Sequence, residues 1–280
     1  MNRQHVAVIS GVSSGIGLGL SKQFLSNNWK VFGTVRKLQD AEELSSNYAE
    51  FQSVEMDVTN SESVEKAVDC IIGSSPEGID LLINNAGIAI GGPLMHVPLD
   101  EFRYQFEVNV FGLLQFTQGL YPALKQQASK PPGRVIQMSS VSGKIGFPFL
   151  GPYVSSKFAL EGLSESLRRE LLQDKIRVIT IGPGAVKTPI WEKSVGPVAA
   201  IYESTSYAKA INRLNDRFVS NSIKTALTVE SLCKKVYEIA IHSKPRIRYT
   251  FMAKKLTNYI LPRLLPSRWL DRIIGKQLFG

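Results

Sequence analysis

Short apolar runs alternate with longer stretches of helical spacing through most of this chain, and that alternation constrains the fold more than any other feature. Residues 5–10, 30–35, 51–55, 79–83, 134–138 and 176–181 read as buried strands, and 246–251 as a seventh. Between them, helices are expected from the glycine loop at 11–17 to about residue 27, from 99 to 127, and from Tyr153 to about 172. Strands of this length separated by helices form βαβ units, which give a parallel sheet covered on both faces. Right-handed crossovers make a doubly wound α/β sheet of the Rossmann type the natural arrangement. Ligands of such sheets bind at the carboxyl ends of the strands.

The chain has 280 residues, 44% of them hydrophobic, which suits one large domain with a substantial core. The net charge of +9 is uneven: residues 1–243 carry +1 and residues 244–280 carry +8. The high basicity therefore belongs to the C-terminal tail, which argues against a general nucleic-acid binder. Cys70 and Cys233 lack metal-like spacing, and His5, His96 and His242 are scattered, so no metal site is expected. The first residues lead straight into a strand with no secretory signal, and no apolar run is long enough to span a bilayer. The expected location is cytoplasmic, with peripheral membrane contact through residues 253–280 as an open alternative.

Nearly every candidate motif falls at an expected strand end. Gly11-Val12-Ser13-Ser14-Gly15-Ile16-Gly17 joins the first strand to a helix. Its glycines permit a tight turn and close approach to a pyrophosphate, and the helix N-terminus adds unpaired N–H groups. The spacing departs from Gly-x-Gly-x-x-Gly. After the second strand comes Arg36-Lys37, where NAD-binding chains carry an acid. A guanidinium suits a 2′-phosphate, so the preference expected is NADP(H). Asp57-Val58 could contact the adenine edge, although a turn-capping Asp is an alternative. Asn84-Asn85-Ala86-Gly87 puts small polar residues at the end of the fourth strand, where backbone must pass close to a ribose. Pro183, Gly184, Val186 and Thr188 form a sharp exit loop that could meet the nicotinamide carboxamide. Asn109 interrupts an apolar helical face, and a buried mid-helix Asn needs bonding partners. A local kink bonded to backbone, and a kink that holds a water in a proton path, are compatible readings.

Tyr153 and Lys157 stand four apart on one helix face, 13 residues after Ser140. A phenol titrates near pH 10, and a neighbouring ammonium lowers that value. The pair looks like a proton-transfer device for an alcohol or carbonyl, although the spacing also suits an ordinary helix surface.

Together these residues resemble the short-chain dehydrogenase/reductase family, and hydroxysteroid and retinol dehydrogenase-like members in particular. The match spans about residues 4 to 190, with Ser10 where the family usually has Thr. The resemblance implies that Tyr153 is the general acid/base and that Ser140 bonds the substrate oxygen. It implies that Lys157 lowers the Tyr pKa and bonds the nicotinamide ribose, while Asn109 anchors a relay water. It also implies homodimer pairing through the helices that carry Asn109 and Tyr153.

The division expected is a cofactor-binding and catalytic core over 1–189, a substrate lid over 190–227, a last helix and strand over 228–252, and a basic amphipathic tail over 253–280. Trp191, Tyr202, Tyr207 and Phe218 in the lid, with Phe147, Pro148, Phe149 and Leu150 at the mouth, suggest a bulky apolar alcohol or carbonyl: steroid, retinoid, lipid or xenobiotic. A 3-oxoacyl thioester reductase and a non-catalytic NADP-sensing regulator are the alternatives. In the tail, Leu270, Ile273, Ile274 and Leu278 share a helical face that could lie on a membrane or pack on the fold. Pro262 and Pro266 are expected to break the helix before it.

Overall fold

The computed structural model describes residues 3–125, 130–190, 196–216 and 224–280. Seven strands form one sheet in which every pairing is parallel: β1 (Val6–Ser10), β2 (Lys30–Val35), β3 (Phe51–Glu55), β4 (Leu81–Asn84), β5 (Arg134–Met138), β6 (Arg177–Pro183) and β7 (Arg248–Phe251). Their spatial order is β3-β2-β1-β4-β5-β6-β7, so the chain winds outward in both directions from β1 and β4. The expected Rossmann-type doubly wound sheet is the observed one.

Side chains alternate across the strands as the pleat requires. Ala7, Ile9, Ile83, Ile136 and Ile179 pack on one face against α1 (Gly15–Leu25). Val6, Val8, Leu82, Val135 and Val178 pack on the other, against α3 (Ser61–Gly73) and the helix after β4. The short α2 (Glu42–Asn47) caps the β2–β3 connection.

The helix expected over 99–127 is a composite: α4 (Leu99–Phe106), a π-helical turn (Glu107–Phe111) and α5 (Gly112–Leu124). Asn109 sits in the π turn, so the expected kink is a local widening of the helix. After β5 comes α6 (Gly151–Glu170), which carries Tyr153 and Lys157. The described part of the expected lid holds α7 (Gly196–Ile201) and α8 (Ala208–Leu214); Trp191 and Phe218 lie outside the described residues. Then α9 (Val229–Ile241) packs against α1 and leads to β7.

The tail departs from expectation in one place. Pro262 does not break its helix: a π turn (Leu256–Ile260) runs into α10 (Leu261–Leu264) with Pro262 near its start. A proline lacks an N–H and crowds the carbonyl four residues back, and first-turn placement after a widened turn accommodates both. Pro266 does end the helix, and α11 (Ser267–Leu278) follows. Its expected apolar face packs inward on the fold at Leu278, where Arg213 of α8 donates to the Leu278 carbonyl at 2.9 Å. Trp269 and Ile273 remain exposed. No described helix is long and apolar enough to cross a membrane.

Candidate active site

The carboxyl ends of β1, β2, β4, β5 and β6 open onto one cleft of about 460 Å³. All the expected cofactor and catalytic positions line it except Gly17 and Asn109, which sit behind its wall.

At its floor, the loop after β1 turns through left-handed backbone at Gly11 (φ 72°) and Gly15 (φ 58°). A Cβ on Gly17 would lie 2.0 Å from the Gly11 carbonyl oxygen and 2.6 Å from Asn85 Nδ2, so only glycine fits. Ser10, inside β1, ties this loop to the end of β4: its Oγ accepts from the Asn85 and Ala86 N–H groups at 2.9 and 3.0 Å. Asn85 Nδ2 returns bonds to the Ser10 and Gly11 carbonyls at 3.0 and 3.1 Å. The first turn of α1 has no acidic residue, and no side chain caps its N-terminus. Ser13, Ser14, Gly15 and Ile16 thus present a helix N-terminus to the cleft, a cradle that fits a pyrophosphate.

At the β2 end, Arg36 is exposed on the cleft rim and has no hydrogen bond or ion pair among the described residues. Asp57 is committed locally: its Oδ1 accepts from the Thr59 N–H and hydroxyl at 2.9 and 2.8 Å, the turn-capping alternative. It lines the cleft beside Val58 nonetheless. Gly87, Pro183, Gly184, Val186 and Thr188 close the opposite wall.

Ser140, Tyr153 and Lys157 meet at the β5 end. The Ser140 hydroxyl accepts from the Ser142 N–H at 3.1 Å, and Ser140 and Tyr153 line the same corner of the cleft. Lys157 is buried, with its Nζ 2.9 Å from the Met138 carbonyl oxygen and 5.8 Å from the Tyr153 ring centre. The electrostatics differ from the expectation that Lys157 lowers the phenol pKa. Burial pushes Tyr153 above the ordinary phenol value, and the neighbouring Ser140 hydroxyl pulls it partly back. Burial also brings Lys157 down to about 8, partly opposed by the Glu161 carboxylate. At neutral pH the pair is therefore a neutral phenol beside an ammonium.

Asn109 braces this corner from behind. Its Oδ1 accepts from the Ile88 N–H at 2.9 Å, while its Nδ2 donates to the Ile88 carbonyl and to Ser156 Oγ, both at 3.0 Å. Ser156 Oγ in turn donates to the Tyr153 carbonyl at 2.8 Å. Gln105, one turn earlier and buried, bonds the Ile90 N–H and the Ile88 carbonyl in the same way. Gln105 and Ser156 were not singled out from the sequence, although each is a polar residue on an otherwise packed helix face.

The expected mouth residues are placed differently. Phe147, Pro148 and Phe149 line a separate apolar hollow of about 200 Å³ with Leu94, Met95 and Phe279. Leu150 pairs with Gly92. Phe149 packs edge-on against Tyr207 at 5.9 Å, joining the apolar cluster of Val198, Tyr202 and Ile211. Within the main cleft the apolar wall comes instead from Ile88, Ala89, Tyr104, Val108 and Ile190.

A sheet of this topology with a Ser–Tyr–Lys corner at the β5 end defines a nucleotide-binding oxidoreductase. The family model "short chain dehydrogenase" matches residues 5–197, and the chain belongs to that family. It is 40% identical over 277 residues to an NADPH-dependent 3-dehydrocapnine reductase from Ornithobacterium rhinotracheale, covering 97% of this chain and 96% of that protein. It is 30% identical over 253 residues to human retinol dehydrogenase 8, covering 86% and 79% respectively. A short chain dehydrogenase from Burkholderia cenocepacia in complex with NADP shares the fold, with a TM-score of 0.74 at 24% identity over 97% of this chain and 98% of that one.

Proposed function

We propose that this protein is an NADP(H)-dependent oxidoreductase that interconverts a carbonyl and an alcohol on a bulky apolar substrate. The observation that carries the reading is the joining of two arrangements in one cleft: the Ser140–Tyr153–Lys157 corner, and the glycine cradle with an unpaired Arg36 at its far rim. A relative that is 40% identical and named NADPH-dependent supports the cofactor, and its reductase activity supports the reaction class. NADP(H), when bound, supplies the hydride chemistry. The cradle of Ser13, Ser14, Gly15 and Ile16 would hold its pyrophosphate, and Arg36 its 2′-phosphate.

The residues of this chain supply position and the proton. Ser140 donates to the substrate oxygen, and Tyr153 delivers a proton to that oxygen in the reductive direction. A phenol held above its ordinary pKa is protonated at neutral pH and so is poised as an acid. Lys157 holds positive charge beside the phenol and would bond the cofactor ribose. Ile88, Ala89, Tyr104 and Ile190 exclude water and favour an apolar carbonyl.

Two surface readings accompany this one. Phe111 and Phe158 are exposed on the segments next to Asn109 and Tyr153, which supports pairing of two copies there. Size-exclusion chromatography with light scattering on wild type and Phe158→Glu tests it; a wild-type monomer ends the idea. The tail exposes Leu256, Leu264, Trp269 and Ile273 among Lys254, Lys255, Arg263, Arg268 and Arg272, which supports contact with an anionic bilayer surface.

The central test is NADPH absorbance during incubation with steroid ketones, retinal, small aldehydes and 3-oxoacyl thioesters, repeated with NADH. The expected result is turnover of an apolar carbonyl, much faster with NADPH. If no carbonyl consumes NADPH, the catalytic reading fails; comparable rates with NADH overturn the role of Arg36.

A further inference from the structure

Behind Ser140 and Lys157 lies an ionic cluster around the buried Glu161 that the chemistry above does not use. Glu161 follows Lys157 by one turn of α6 and is buried. Arg248 of β7 clamps it from the side, with Nε 3.1 Å from Oε1 and 2.9 Å from Oε2. Lys144, in the turn after β5, places its Nζ 3.4 Å from Oε2. The rest of the guanidinium bonds three further groups. Nη2 donates to the Ser140 carbonyl at 3.3 Å. Nη1 donates to the Thr250 hydroxyl and, at 3.1 Å, to the phenol oxygen of Tyr259 in the tail. The fold leaves space for this group at Gly182, where a Cβ would lie 2.5 Å from Nη2.

A buried carboxylate one turn from an ammonium on the same helix is a competitor for that ammonium. Here the competition is absent. Both Glu161 oxygens are engaged by Arg248 and Lys144, and Lys157 is free to bond the Met138 carbonyl at 2.9 Å. The Glu161 charge still acts on Lys157 through space and favours its protonated form. The bond to the Ser140 carbonyl holds the backbone that presents the Ser140 hydroxyl. The titratable and charged groups around this corner are Tyr153 and Glu161 from α6, Lys144 from the turn after β5, Arg248 from β7 and Tyr259 from the π turn of the tail.

We infer that Glu161 and Arg248 are positioning residues: Arg248 ties up Glu161 so that Lys157 keeps its place, and fixes the Ser140 backbone. The inference rests on the roles proposed above for Ser140 and Lys157.

The test reads NADPH binding by fluorescence from neutral to alkaline pH, together with turnover of whichever carbonyl wild type reduces. Glu161→Gln removes a charge that holds the proton on Lys157, so the alkaline loss of NADPH affinity moves to lower pH. Arg248→Met leaves Glu161 to draw Lys157 away, and turnover falls roughly 10- to 100-fold, the scale of a misplaced catalytic group. The double variant Arg248→Met/Glu161→Gln recovers part of that loss. Arg248→Lys retains the charge, gives an intermediate rate, and serves in place of the Met variant should that one not fold. An ion pair that merely holds the fold predicts the opposite: an unmoved pH profile and a double variant no better than Arg248→Met, and either result overturns the inference. Lys157→Met in the same series separates the two levels. If it binds NADPH as wild type does, the underlying reading falls and this inference with it. If it loses affinity while the Glu161→Gln profile stays in place, the inference alone falls.

Discussion

Lys157 Nζ bonds the Met138 carbonyl oxygen at 2.9 Å, so the strand end that presents Ser140 and the helix that presents Tyr153 are joined by the ammonium itself. Burial lowers that ammonium to a pKa of about 8. It is charged below this value and neutral above it. The expected outcome is a fall in kcat/KM as pH rises through about 8, with the loss complete well below the usual lysine range. Lys157→Arg cannot deprotonate in this range. Its pH profile is therefore flat on the alkaline side, at a lower absolute rate. Steady-state rates across this range check both.

Tyr153→Phe removes the proton donor while keeping the ring that lines the cleft. General acid catalysis of this kind contributes about 10²- to 10⁴-fold, so kcat falls by that order with NADPH affinity little changed. Rapid-mixing turnover together with NADPH fluorescence separates the two quantities. A variant that oxidises NADPH as fast as wild type would refute the assignment of Tyr153.

Arg36 is exposed and has no described partner, so its replacement should leave the fold intact. A charge-assisted hydrogen bond contributes about 1.5–3 kcal/mol, or roughly 10- to 100-fold in affinity. Arg36→Ala is expected to raise the KM for NADPH by that factor and leave the KM for NADH nearly unchanged. Measuring both cofactors in one buffer at fixed ionic strength checks it, since exposed charges are screened by salt.

Asn109→Leu tests the brace behind the site. The side chain accepts from the Ile88 N–H, while the Ile88 carbonyl keeps Gln105 as a second donor, and a buried polar group left unbonded costs about 1–3 kcal/mol. The variant should lose about that much stability or more in urea unfolding, and lose turnover through displacement of the Ile88 segment. Asn109→Gln, with the same amide on a longer stem, should recover little, because the π turn fixes the distance to Ile88.

Much of this site was legible before the fold was known, and the reason is local. The glycine loop, the Asn85-Ala86-Gly87 turn and the Tyr153–Lys157 spacing each draw their meaning from a few consecutive residues beside a strand. What escaped is long-range. Arg248 and Glu161 are 87 residues apart, and nothing in either local pattern announces a partner. Gln105 and Ser156 look like incidental polar residues until their bonds to Ile88, Asn109 and Tyr153 are seen. Phe147, Pro148 and Phe149 were expected at the substrate mouth from their nearness to Tyr153. The chain turns between them through left-handed backbone at Phe149 (φ 61°), and they line the neighbouring hollow instead. A charge four residues from Tyr153 is visible in the sequence, whereas the burial that raises its pKa comes only with the fold.

The tail supplies the last prediction. The side of α11 that carries Leu278 packs on α8, which leaves Trp269 and Ile273 in solvent, while Leu256 and Leu264 are exposed one helix earlier. These apolar side chains stand among basic ones, and basic residues near an anionic surface contribute about 1 kcal/mol each. The full chain is expected to co-sediment with vesicles containing phosphatidylserine, and to do so less at high salt. Leu264→Glu and Trp269→Glu place acids on exposed positions, so they should preserve folding and NADPH binding while reducing sedimentation severalfold. Neutral phosphatidylcholine vesicles separate the charge contribution from the apolar one: apolar insertion alone binds both vesicle types equally, and charge with insertion favours the anionic ones. Equal, negligible sedimentation of wild type and both variants removes the membrane reading and leaves α11 as a packing element on α8.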